Sequence, residues 1–231
     1  MAAGAAGENP LEALARLDEI TRLLRRECPW DREQDERSIV PHTVEEAYEL
    51  ADAAHSGDDA KLLDELGDVL FQVLFLALLM EERGAGDLSE VADGCRRKLI
   101  RRHPHVFEDA SAESSDDVLR SWDRIKRDDE RGGDIFGEIP ENLPSTLYAR
   151  KALRRAEGAG HDWPAGSTVA QLELEAGRLA SATTRGERFD AAGSLLLAAV
   201  AAARAVDADP ELALRAATDR FMGTVLDEAG R

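Results

Sequence analysis

Aromatic residues are scarce in this chain of 231 residues, at 5% of the total, and only eight prolines and two cysteines occur. A chain poor in both aromatics and proline, with long stretches of Ala, Leu, Glu and Arg, disfavours strands and predicts an all-α fold. Cys28 and Cys95 lie far apart without the paired ligand spacing of a zinc site or the context of a disulfide framework, so both are expected to be buried, reduced thiols. Long apolar runs are missing too. The longest, Val69 to Met80, is broken by Gln72 and falls short of the roughly 20 residues a membrane helix needs. It reads as a core helix, buried nearly all round. Met1 to Gly7 has neither the basic start nor the apolar block of a secretory signal, which predicts a cytoplasmic protein. Positive charge is in deficit, with 29 Lys and Arg against 47 Asp and Glu and a net charge of -18. Such a balance repels a nucleic-acid backbone or an anionic bilayer, and leaves a polyanion only a local basic patch or a bridging cation to bind to. Finally, there is no Gly-rich phosphate loop, and no nucleophile stands beside an identifiable base.

What is present is helical periodicity. Leu11, Leu14, Leu17, Leu23 and Leu24 form a stripe over residues 10–27, ended by Cys28-Pro29. A loop is expected from Pro29 to His42, then a short helix capped by Thr43 and reaching His55, and a longer one over 59–83 closed by Gly84. Helices over 87–102 and 115–131 complete a first bundle, residues 1–133. Gly137, Pro140 and Pro144 mark residues 134–144 as a linker. Residues 145–231 follow, with helices expected at 145–157, 168–184, 187–206 and 210–229, the last behind an Asp209-Pro210 cap. The two halves look like copies. A tryptophan in a loop (Trp30, Trp163), a short helix, and a long apolar helix with one glycine (Gly67, Gly193) recur in that order.

The chemistry is concentrated in acids spaced three apart. Glu46 and Glu49 share one face of the short helix, and Glu65 and Asp68 one face of the long helix. A short turn between the helices makes them antiparallel, so the two pairs can meet. Four converging carboxylates repel strongly unless a divalent cation lies among them, and all-oxygen ligands suit Mg²⁺ or Mn²⁺ better than zinc. The opposing reading is that Thr43-x-x-Glu46 is only a capping box and the acids a solvated face. Against it, Glu65 and Asp68 lead straight into Val69-Leu70-Phe71, where unpaired carboxylates are costly, and Gly67 between them leaves room for a close approach to the backbone.

Cys28-Pro29-Trp30-Asp31, Glu45-Glu46-x-x-Glu49, Glu65-Leu66-Gly67-Asp68, Arg101-Arg102-His103-Pro104-His105-Val106-Phe107 and Trp122-x-x-x-Lys126, in that order, resemble the MazG nucleoside triphosphate pyrophosphohydrolases of the all-α NTP pyrophosphatase superfamily. The resemblance implies a dimerising helical bundle and Mg²⁺ held by Glu46, Glu49, Glu65 and Asp68, with Glu45 orienting water or a ligand. It implies hydrolysis of nucleoside triphosphates, ribo or deoxy, to the monophosphate and pyrophosphate, in nucleotide-pool cleaning or a stress response. It also places Lys98, Arg102 and Lys126 on the phosphates, with Arg101 in the same basic helix, and Trp122 near the nucleotide. His103 and His105, beside Pro104, read as structural.

Superposing the halves through Gly67 and Gly193 puts Ala191 on Glu65 and Ser194 on Asp68; through the shorter helices, Glu175 falls on Glu46, Leu174 on Glu45 and Arg178 on Glu49. One carboxylate of four is left, too few to hold a divalent cation. The expectation is a catalytic first half and a second half that serves as scaffold or subunit interface. The alternative is a weakly active or inactive nucleotide-binding regulator of the same fold. A di-metal carboxylate oxidoreductase is disfavoured, since none of Glu46, Glu49 or Glu65 has a histidine three residues on.

Overall fold

The computed structural model describes residues 9–108, 114, 118, 121, 122, 125, 135–137, 139–161, 163 and 168–230. Every regular element among them is a helix, and the chain divides into two compact units, Met1–Leu99 and Ile100–Arg231. No described helix is long and apolar enough to cross a membrane.

In the first unit, α1 (Pro10–Glu27) starts at Asn9, whose side chain accepts from the Leu11 amide, and stops at Cys28 before Pro29. The expected loop that follows is instead largely helical. After α2 (Pro29–Glu33), α3 (Glu36–Ser56) starts well before Thr43. Asp35 is the reason. Its carboxylate accepts from the Arg37 and Ser38 amides, both at 2.9 Å, while Ser38 Oγ accepts from the Asp35 amide at 2.9 Å. This reciprocal capping box fixes the start, and Pro41 is tolerated near the N-terminus, where its missing donor frees only the Arg37 carbonyl. Thr43 is therefore mid-helix and caps nothing.

α4 (Asp59–Glu82) returns antiparallel to α3 through Gly57, whose φ of 71° needs glycine's freedom, and Asp58, whose side chain caps Ala60 and Lys61. Ile39, Phe75 and Leu79 form the core between these helices, with Phe71 and Leu76 packed against it. Arg22 binds Glu81 at 2.6 Å and Arg25 binds Glu82 at 2.8 Å, tying α1 to α4. Arg25 also donates to the Asp31 and Gln34 carbonyls, which braces α2. α4 is not buried all round: Leu63, Leu66, Leu70 and Val73, spaced as one helical stripe, are 40–74% exposed. α3 and α1 pack against its buried side. α5 (Leu88–Arg102) buries no residue, so Cys95 on it is exposed rather than buried, while Cys28 is half-buried; both are free thiols. The short α6 (Pro104–Phe107) begins after His103, whose ring lies 5.6 Å from that of His105.

The second unit takes in the end of α5 and all of α6, and contains α7 (Ser145–Gly158), α8 (Thr168–Ser181), α9 (Arg185–Arg204) and α10 (Pro210–Glu228). Thr184 and Glu187 form the capping box of α9, and Asp209 caps α10 with Pro210 at its first position. Leu153, Val200 and Ala201 make a core with Ala149 and Leu197, and Arg150 pairs with Asp209 between α7 and α10. The helix expected over 115–131 lies largely outside the described residues, as does Lys126.

Candidate metal centre

The α3–α4 hairpin brings acids from both helices into one volume. One carboxylate oxygen from each of Glu46, Glu49 and Glu65 lies within 4.8 Å of the others. Their surroundings differ: Glu65 is 7% exposed, Glu46 half-buried and Glu49 exposed. Glu65 Oε2 is buried and has no hydrogen-bond partner. A buried acceptor of this kind is costly unless something electropositive meets it.

The electrostatics agree with that geometry. The Glu46 carboxyl is held above the usual carboxylate range, first by desolvation and then by the charges of Asp68, Glu49 and Glu65. That of Glu65 is raised too, by desolvation, then by Glu49, with Lys61 opposing. Asp68 is exposed and stands outside the tight group of three, yet its charge reaches both Glu46 and Glu65. Glu45 turns outward toward His42, 3.3 Å away. Three convergent carboxylates with one orphaned oxygen and no nitrogen or sulfur donor fit a hard divalent cation. Thr43 and Gln72 complete the hairpin in a way the sequence did not announce. Thr43 Oγ1 donates to the Ile39 carbonyl and to Gln72 Oε1, both at 3.4 Å, and so links α3 to α4.

The basic residues are less concentrated than the sequence implies. Arg96 and Arg97 both pair with Asp93 on their own helix, which pulls the Asp93 carboxyl down. Lys98 is exposed on α5. Arg101 and Arg102 belong to the second unit, and Arg102 lies over the ring of the half-buried Trp122, 5.8 Å from its centroid. Gly67 is exposed, and a Cβ built there meets open space, so nothing else in the described chain uses the close approach it permits.

Residues 34–107 match the model of the MazG nucleotide pyrophosphohydrolase domain. The chain is 36% identical over 203 residues to the nucleoside triphosphate pyrophosphohydrolase of Escherichia coli, covering 84% of this chain and 77% of that protein. It is 38% identical over 199 residues to the nucleoside triphosphate pyrophosphohydrolase/pyrophosphatase MazG of Thermotoga maritima, covering 84% and 76%. Among solved structures, a mazG-related protein from Thermotoga maritima matches with a TM-score of 0.43 at 26% identity, over 49% of this chain and 98% of that one.

Proposed function

The chain belongs to the MazG family, and from that premise we propose that it hydrolyses nucleoside triphosphates to the monophosphate and pyrophosphate at the acidic hairpin of its first unit. The observation that carries this reading is the convergence of Glu46, Glu49 and Glu65 around the orphaned Glu65 oxygen. Those three, with Asp68, are the ligands we assign to Mg²⁺, Mn²⁺ being the nearest substitute. When bound, the metal supplies charge for the triphosphate oxygens and acidity for the attacking water. The protein's part is to hold the carboxylates ready. Desolvation of Glu46 and Glu65 keeps them poorly solvated and so avid for a cation. Glu45 sits beside the ligands without joining them, which suits it to orient a water, and His42 holds it there.

Lys98, Arg101, Arg102 and Lys126 are assigned to the phosphates and Trp122 to the nucleotide, since cations must offset a triphosphate in a chain of net charge -18. The second unit is a diverged copy of the first. The protein acts as a homodimer, a reading supported by the exposed stripe Leu63, Leu66, Leu70 and Val73.

The test is an assay of the purified chain with each common NTP and dNTP, with Mg²⁺ and with chelator, identifying the products. Metal-dependent release of pyrophosphate and monophosphate that disappears in Glu49→Gln is expected. Turnover that survives in Glu49→Gln refutes the site, and no turnover of any triphosphate despite Mg²⁺-dependent binding leaves a nucleotide-binding regulator.

A further inference from the structure

The second unit's hairpin, α8 with α9, carries an open cleft of about 480 Å³ lined by Glu175, Arg178, Ser181, Thr183, Asp190 and Ser194, with Ala191 and Glu187 also on its wall. Four of these, Glu175, Arg178, Ala191 and Ser194, are the positions that the repeat places on Glu46, Glu49, Glu65 and Asp68. A volume of this size is typical of small-molecule sites.

Its chemistry differs from that of the first hairpin in one decisive respect: a cation is built in. Glu175 is 3% exposed and is satisfied by Gln171 at 2.7 Å and by Arg178 Nη1 at 3.2 and 3.3 Å from its two oxygens. Those are long distances for a charge-assisted pair, and they engage only Nη1 of a guanidinium with five N–H donors. The Arg178 side chain is 65% exposed, so its remaining donors are open to a ligand. Of the other lining acids, Glu187 is committed to the start of α9, where its Oε2 accepts from the Thr183 amide and hydroxyl and the Thr184 amide. Asp190 has no hydrogen-bond partner among the described residues. The cavity thus offers one anchored donor fork for an oxyanion and one open carboxylate for hydroxyl donors.

We propose that this cleft is a metal-independent site for a ribonucleoside monophosphate, with Arg178 on the phosphate and Asp190 on the ribose hydroxyls. Fork and carboxylate by themselves fit an oxyanion that also carries hydroxyls, such as a sugar phosphate. The choice of a nucleotide rests on the function proposed above, whose product it is. The phosphate meets the Arg178 Nε and Nη2 donors, which the Glu175 pair leaves unengaged.

Calorimetric titration of the full-length chain in chelator, with AMP, GMP, CMP, UMP, ribose 5-phosphate and inorganic phosphate, tests this directly. Monophosphates are expected to bind, and Arg178→Ala and Arg178→Gln each to weaken them at least about tenfold, the scale of a lost charge-assisted hydrogen bond. Asp190→Ala should weaken nucleotides while leaving inorganic phosphate unchanged, and Glu65→Gln should leave all binding intact. Circular dichroism of the Arg178 variants separates lost binding from lost folding. Absence of monophosphate binding in chelator, binding undiminished in both folded Arg178 variants, or loss in Glu65→Gln overturns the proposal. Equal affinity for inorganic phosphate or ribose 5-phosphate overturns the nucleotide. Failure of the catalytic reading shows instead as lack of turnover, which leaves these titrations unaffected.

Discussion

Glu65 is a carboxylate whose burial is a structural burden that a bound cation would relieve. Burial and the neighbouring Glu49 raise its proton affinity, so the fold disfavours its charged form. A raised carboxyl in the folded state destabilises the chain where the group is ionised and is harmless where the unfolded chain is itself protonated. In chelator, the stability gap between Glu65→Gln and the parent should therefore be small below the usual carboxylate range. It should open in favour of Glu65→Gln as the pH climbs through the raised titrations of Glu46 and Glu65. Thermal unfolding from acid to neutral pH reads this, and a gap that stays flat or favours the parent rejects the account. With Mg²⁺ the order should reverse, and Glu65→Gln should lose at least about 10²-fold in turnover, since even residues that only support a ligand cost 10–100-fold. The meeting of Glu46, Glu49 and Glu65 was legible in the sequence because a spacing of three forces neighbours onto one helix face, although Asp68 stands outside the group. Their unequal burial was not, since it depends on which side of the hairpin the rest of the unit covers. Nor was the tie between Thr43 and Gln72, because Thr43 reads as a cap until Asp35 is seen to occupy that role.

At the scale of the element, α4 joins two demands on one helix. Beyond Phe71 it supplies the core, through Leu74, Phe75 and Leu79, while its first half carries Glu65 and Asp68. Its existence and its antiparallel return from α3 followed from the apolar run and the Ser56-Gly57-Asp58 turn. What periodicity misjudged was the exposed side, since an unbroken apolar stretch looks the same whether a neighbour covers one face or all of them. Gly67 lies on the exposed half, where a Cβ meets open space. Gly67→Ala should thus stabilise the isolated fold by roughly 0.5–1 kcal/mol, the difference in helix propensity. Chemical denaturation checks the gain, and an assay alongside it separates two roles. Unchanged turnover makes Gly67 incidental, whereas a more stable but inactive variant means that a ligand or a second copy approaches the backbone there. The start of α3 shows the opposite kind of error. The sequence predicts a loop through His42, yet the Asp35–Ser38 box starts the helix at Glu36, and Pro41 is carried in its second turn.

For the whole molecule, two hairpins of similar layout solve the same electrostatic problem differently. The first unit leaves a buried oxygen orphaned and like charges together, whereas the second satisfies its buried Glu175 with Gln171 and Arg178. Only the first therefore has free energy to gain from a divalent cation. Because a ligand that binds only the folded state stabilises it in proportion to its occupancy, Mg²⁺ at about 100 times its Kd adds roughly 2.7 kcal/mol, or about 10²-fold in protection. That gain should be local. Amide hydrogen exchange of the full chain, with Mg²⁺ and with chelator, is expected to slow in α3 and α4 and to stay unchanged in α8 and α9. Slowing in both hairpins means that the second retains a cation site despite its ligands, and slowing in neither removes the metal from the first. Sequence alone could announce the asymmetry, since Ala191 and Ser194 are not ligands, but not its physical meaning. It took the position of Arg178 against a 3% exposed carboxylate to show that the second hairpin carries its counter-charge as a side chain.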